Sequence, residues 1–237
     1  GINTGNFLLT TDVSRGLRID AVISGTGALT KVGADTLLLG GSNTYSGATT
    51  ISNGVIQLQN QDGLGSTTPG VTGASTTTVA NGTALKIKGN GFSIPESLTI
   101  NGTGINSFGA ISNPSGINTI VGPIALATSS TIRSNGTGTS DSLLITTGGI
   151  NLSNNTLTTD VIKGMRIDAA ITGTGGAITK ISNDTLILGG ANNYTGLTTL
   201  SAGVIEAKSS AAFGTNAGAT TMTSGTTIQI EGSGLVI

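Results

Sequence analysis

The stretch ISGTGALTKVGADTLLLGGSNTYSGATTISNGVIQL, residues 23–58, returns almost residue for residue as residues 171–207, and this return decides how the rest of the chain is read. Within it, short runs rich in Leu, Ile, Val and Thr (TLLLG, 36–40; TTISNGVIQL, 49–58) alternate with the clusters GTG, GGSN and NG. Aliphatic and β-branched runs of this length read as strands. Gly supplies positive φ at no steric cost and Asn tolerates it, so the clusters between the runs read as corners.

Outward from this stretch the correspondence continues. Asp12 matches Asp160, Arg18 matches Arg166 and Asp20 matches Asp168, all at an offset of 148, and the same offset carries residues 1–3 onto residues 149–151. Gly176 is inserted, so Lys31 then pairs with Lys180, Tyr45 with Tyr194 and Gly54 with Gly203 at an offset of 149. Gly82 pairs with Gly225 and Gly89 with Gly232 at 143, which takes about six residues out of a linker near 66–74 in the second copy. The chain therefore reads as one full repeat, 1–148, followed by a partial second copy of the same solenoid, 149–237. It reads as a window on a longer array, with further copies expected on both sides. Tandem units of short apolar segments build solenoids, in which each unit packs mainly on its neighbours.

Further strands are expected at LRIDAVI (17–23), TALKIKG (83–89), SLTI (97–100), NTIVGPIAL (118–126) and SLLIT (142–146). No stretch sustains a 3.6-residue apolar period, so helix content near zero is expected. Two all-β architectures use such a pattern. In a parallel β-helix, inward aliphatic residues stack coil on coil; in an antiparallel sandwich, Asn53-Gly54 and Asn81-Gly82 are hairpin turns. The solenoid is preferred because the apolar residues are small and aliphatic, whereas a sandwich core usually carries large aromatics. About eleven coils at a strand spacing of about 4.8 Å make a rod of about 50 Å.

Composition narrows the function. Charged residues are 9% of the chain and the formal net charge is −1, which leaves no electrostatic footprint for nucleic acid or an anionic membrane. Aromatics are 3%, with no Trp, which weakens readings that need stacking platforms. The absence of Cys and His removes thiolate and imidazole chemistry, including Cys/His zinc sites and Ser-His-Asp triads. No apolar run approaches the length of a membrane span.

The recurring acids are Asp12, Asp20 and Asp35, with counterparts Asp160, Asp168 and Asp184. Arg18 and Asp20 lie two residues apart and so share one side of a strand. Carboxylates grouped with Arg are what a β-helix lyase or glycosidase needs, but recurrence in every copy suits a structural pair or corner hydrogen bonds, since an active site is needed only once. Calcium is a weaker reading: the acids are spread singly and no G-G-x-G-x-D repeat is present. Tyr45 and Tyr194 are expected to cover the core edge and hydrogen-bond the next turn. Sequons such as Asn81, Asn101 and Asn135 arise readily in a chain this rich in Asn, Gly and Thr. No catalytic, cofactor-binding or metal-ligating residue is assigned, and no cofactor is expected.

Residues 25–58 and 173–207 resemble the autotransporter-associated β-strand repeat of bacterial passenger domains. The resemblance rests on Gly25, Gly27, Leu29, Thr30, Lys31, Gly33, Thr36, Leu37, Leu39, Gly41, Asn43, Tyr45, Gly47, Thr49, Ile51, Gly54 and Ile56. It implies a right-handed parallel β-helix, secretion to the extracellular space or bacterial cell surface, and a stalk or adhesive role. The expected protein is a non-enzymatic segment of a repetitive surface fibre that gives reach, rigidity and self-association, head-to-tail or lateral. The alternative is an adhesin passenger that binds host glycans or proteins, and a polysaccharide lyase or hydrolase comes third. No nucleic-acid partner and no membrane insertion by this segment are expected.

Overall fold

The structure, a computed structural model, describes residues 1–66 and 75–236. Every strand pairing in it is parallel, and the chain winds into a β-solenoid of about 11 turns. Each coil supplies short strands separated by corners. Along the first face run Leu9–Asp12, Leu29–Val32, Thr49–Ile51, Thr76–Val79, Ser97–Gly102, the start of Ile124–Ser134, Ile150–Asn151 and Ile171–Thr172. Along the second run Leu17–Ile19, Thr36–Leu39, Val55–Leu58, Ala84–Lys88, Ile111–Ser115, the end of Ile124–Ser134, Thr156–Val161, Ala177–Ile181, Thr198–Leu200 and Thr220–Met222. The third is formed by Ser93–Ile94, Ile117–Ile120, Ser142–Ile145, Met165–Ile167, Thr185–Leu188, Val204–Ala207 and Thr227–Ile230.

The core is one column of stacked aliphatic side chains. On the second face Leu37, Ile56, Leu85, Ile111 and Ile132 lie in register on successive coils, each with no exposed surface. Alternation makes this possible: in Thr36–Leu39, Leu37 and Leu39 point inward while Thr36 and Leu38 stay partly exposed, as the two-residue period of a strand requires. Among the described residues the one helical element is the 3₁₀ turn Ile105–Ser107, and no helix is long and apolar enough to cross a membrane.

Three of the expected strands are broken by corners. Residues 49–58 form two strands on two faces, Thr49–Ile51 and Val55–Leu58, with Asn53-Gly54 between them. Gly54 has φ +71°, and a Cβ there would lie 2.5 Å from the Asp35 carbonyl oxygen, as one at Gly203 (φ +74°) would lie 2.6 Å from that of Asn183. Only glycine meets both demands. Residues 17–23 divide into Leu17–Ile19 and the start of Ile23–Ser24, and residues 118–126 divide at Gly122-Pro123, where Pro123 has no N–H for a ladder. The length difference near 66–74 falls largely on 67–74, outside the described residues.

Counterpart strands do not share a face. Leu9–Asp12 is on the first face and its counterpart Thr156–Val161 on the second; Leu17–Ile19 is on the second and Met165–Ile167 on the third. Along the second face six rungs lead from Leu17–Ile19 to Thr156–Val161, and Met165–Ile167 lies one face beyond. One copy thus makes six turns and a third.

Candidate functional surface

Buried polar side chains of the repeated stretch hold neighbouring coils together. Lys31 points inward from the first face with no exposed surface, and its ammonium donates to the carbonyls of Val32, Gly33 and Asn53 at 2.9, 2.7 and 3.0 Å. Lys180 repeats this on the second face with Ile181, Ser182 and Ala202. Three donors meet three carbonyls, so the buried charge is saturated. Burial pushes the Lys180 ammonium down to about 8 against the pull of Asp184 and Asp160, and Lys31 is lowered for the same reason against Asp35 and Asp12.

Asn43 bridges three coils. Its Oδ1 accepts from the Ile23 N–H at 2.8 Å and its Nδ2 donates to the Gly63 carbonyl at 2.7 Å; Asn192 does the same between Ile171 and Ala212, at 2.9 and 2.8 Å. Tyr45 and Tyr194 were expected at the core edge, bonded to the next turn. They are instead fully inside, each phenol 2.6 Å from a buried threonine four residues on, Thr49 or Thr198. A polar partner already inside the core lets the whole ring enter. Burial raises both phenols, Tyr194 up to about 12.

The candidate acids are dispersed. Arg18 and Asp20 do pair on the same side of the chain at 2.7 Å, exposed, and Arg166 and Asp168 repeat the pair at 2.6 Å. Asp35 accepts corner N–H groups from Gly16 at 3.0 Å and Thr36 at 2.7 Å, and Asp184 accepts from Thr185 at 2.7 Å. Asp12 is exposed, whereas its counterpart Asp160 is buried and ion-paired with Arg133 at 3.2 Å; the Arg133 guanidinium lies 4.7 Å over the Phe108 ring. All of these acids but the exposed Asp12 have a local partner, and their positions on different faces and corners do not make a convergent carboxylate pair. Among the described residues no group of three or more acidic side chains is placed to hold a metal ion.

Two further charged features stand apart from the recurring acids. On the third face Lys208 lies 2.9 Å from Glu206 and 3.2 Å from Glu231, where the first copy has Gln59, bonded by Arg18 at 2.7 Å. Glu96 is buried at the corner leading into the first face, and its Oε2 has no hydrogen-bond partner among the described residues. Burial, with Asp62 adding to it, pushes this carboxyl up to about 7. A shallow groove of about 350 Å³ runs beside Ser97, Pro123, Ala125 and Asn151 and is mostly apolar.

The outward sides of the faces are more regular than any cleft. On the first face Thr10, Thr30, Thr50, Thr78 and Thr99 are register partners on five successive coils. On the second, Thr158, Thr179, Thr199 and Thr221 are partners on four. These are counterparts of one another, moved to the next face by the extra third of a turn.

Fold and surface together define a tandem-repeat parallel β-solenoid with an aliphatic core and a low-charge exterior. Residues 29–58 and 178–207 each match the family model of the passenger-associated-transport-repeat, so two segments of the chain are similar to this autotransporter passenger repeat. No curated protein and no solved structure matches the chain. Each match covers the Lys corner, the Asn bridge and the buried Tyr. The repeat family implies a secreted or surface-exposed location, and family and fold together suggest a structural role.

Proposed function

We propose that this chain is a structural and adhesive segment of a repetitive bacterial cell-surface or secreted fibre, supplying reach, rigidity and self-association. The observation that carries the reading is the unbroken parallel stack: coil after coil is hydrogen-bonded to its neighbours around one continuous core. Such a rod is stiff because bending it opens ladder bonds on one side and compresses packed side chains on the other. Low charge lets similar coils lie in register without repulsion.

Small-angle scattering on the full chain tests the reach. A long axis of about 50 Å is expected, and a chain extended by one further copy gains about 30 Å at constant cross-section. Growth in width instead of length overturns the reading. Sedimentation velocity tests the association: mass is expected to rise with concentration, and a monomer at every concentration removes that part while leaving the rod intact.

A further inference from the structure

We propose that the two threonine ranks form an ice-binding surface, taking an ordered water lattice as their ligand. This goes beyond the structural role and rests on the ranks alone. Thr10, Thr30, Thr50, Thr78 and Thr99 stand one per coil, so the hydroxyls repeat at the strand spacing of about 4.8 Å. That repeat lies close to the spacing of equivalent oxygens along the a axis of hexagonal ice. Several hydroxyls therefore meet lattice positions together before the mismatch accumulates, and simultaneous weak contacts multiply.

The ranks are also pre-organised. Threonine has few χ1 rotamers, so on a repeated backbone its hydroxyl has few places to stand. Among the described residues these hydroxyls make no hydrogen bond inside the protein, apart from Thr221 to Thr199 at 3.4 Å. Their bonding capacity is directed outward. On the first face the flanking outward positions include Ala28, Ala48 and Ser97, and Asp12 at the end is the one charge beside the rank. The second rank reproduces the arrangement with Thr158, Thr179, Thr199 and Thr221.

Two other occupants fit less well. Five coils of four-residue strands offer about 300 Å², short of the roughly 800 Å² per partner of a stable protein interface. A glycan would look for an aromatic platform or a groove, and neither rank holds an aromatic side chain.

The test is uptake of the labelled full chain into a slowly grown ice hemisphere, with crystal faceting followed in parallel. Enrichment in ice of about tenfold over a chain carrying Thr30→Tyr, Thr50→Tyr, Thr179→Tyr and Thr199→Tyr is expected, as multivalent contact predicts. Because the replaced side chains point outward, the variant keeps its circular dichroism and melting temperature; if it unfolds, Thr→Val at the same four positions serves, and uptake is again expected to fall. Exclusion of the unaltered chain from ice overturns the proposal. So does retention on polysaccharide beads without ice uptake, or a dimer in sedimentation that the four substitutions abolish.

Discussion

At Lys180 two forces oppose each other: removal from water penalises the charge of the ammonium, while the nearby Asp184 and Asp160 favour it. Burial is the larger, and the folded pKa of about 8 lies below the ordinary 10.5. The unfolded chain then holds more protons between pH 8 and 10, so stability rises with pH across that window. The melting temperature is expected to climb there, and Lys180→Met to flatten the climb. At pH 7 the same substitution takes the donor from three half-buried carbonyls and costs about 3 kcal/mol in denaturant unfolding. Glu96 has the opposite slope. Its folded pKa of about 7 is above the ordinary 4.5, so the stability it contributes is complete below pH 4.5 and is lost as pH rises through 7. Glu96→Gln is expected to gain about 2 kcal/mol at pH 8 and to be neutral near pH 4. A variant equally stable with the parent at pH 8 would show that the carboxylate is ionised at no cost.

At the scale of the element, the corners hold the design together. Asn43→Ala unpairs the Ile23 N–H and the Gly63 carbonyl at once and is expected to cost about 3 kcal/mol. Asn43→Asp separates the two bonds, because aspartate still accepts from Ile23 but gives nothing to Gly63. Its loss should exceed half that of alanine, since a carboxylate then faces a carbonyl; equal stability to the parent would show that the bridge is idle. Strand identity and inward alternation were readable from Leu37, Leu39 and Ile56, because burial of one face forces a two-residue period. The kind of break at Asn53-Gly54 was not, since a solenoid corner and a hairpin use the same residues. Nor was the place of Tyr45: what admits its phenol to the core is the inward-facing Thr49, and the sequence does not show which threonines of 49–50 face inward. Of the polar groups, the Arg18–Asp20 pair was legible from spacing alone, whereas the carbonyl cage of Lys31 involves a coil 22 residues away.

The whole molecule adds a property that no single coil carries. Sequence offset measures distance along the chain, not angle around the axis, so a repeat of 148 residues says nothing about how many corners it turns. Six turns and a third place each copy's surface one face on from the last, and three copies return the pattern to its own face. A feature repeated in sequence is therefore displayed around the rod rather than along one side. The chain has no cysteine, which allows a clean test. With the extra third of a turn, Thr158 is the ladder partner of Thr131 on the second face; a whole number of turns would put the counterpart of Thr10 on the first face, where Ala125 is the neighbour of Thr99. Ladder partners lie about 4.8 Å apart, within the reach of a disulfide. Thr131→Cys with Thr158→Cys is expected to lose both free thiols on mild oxidation, and Ala125→Cys with Thr158→Cys to keep them. The reverse outcome would return the copies to a common face and make the threonine ranks a single continuous strip.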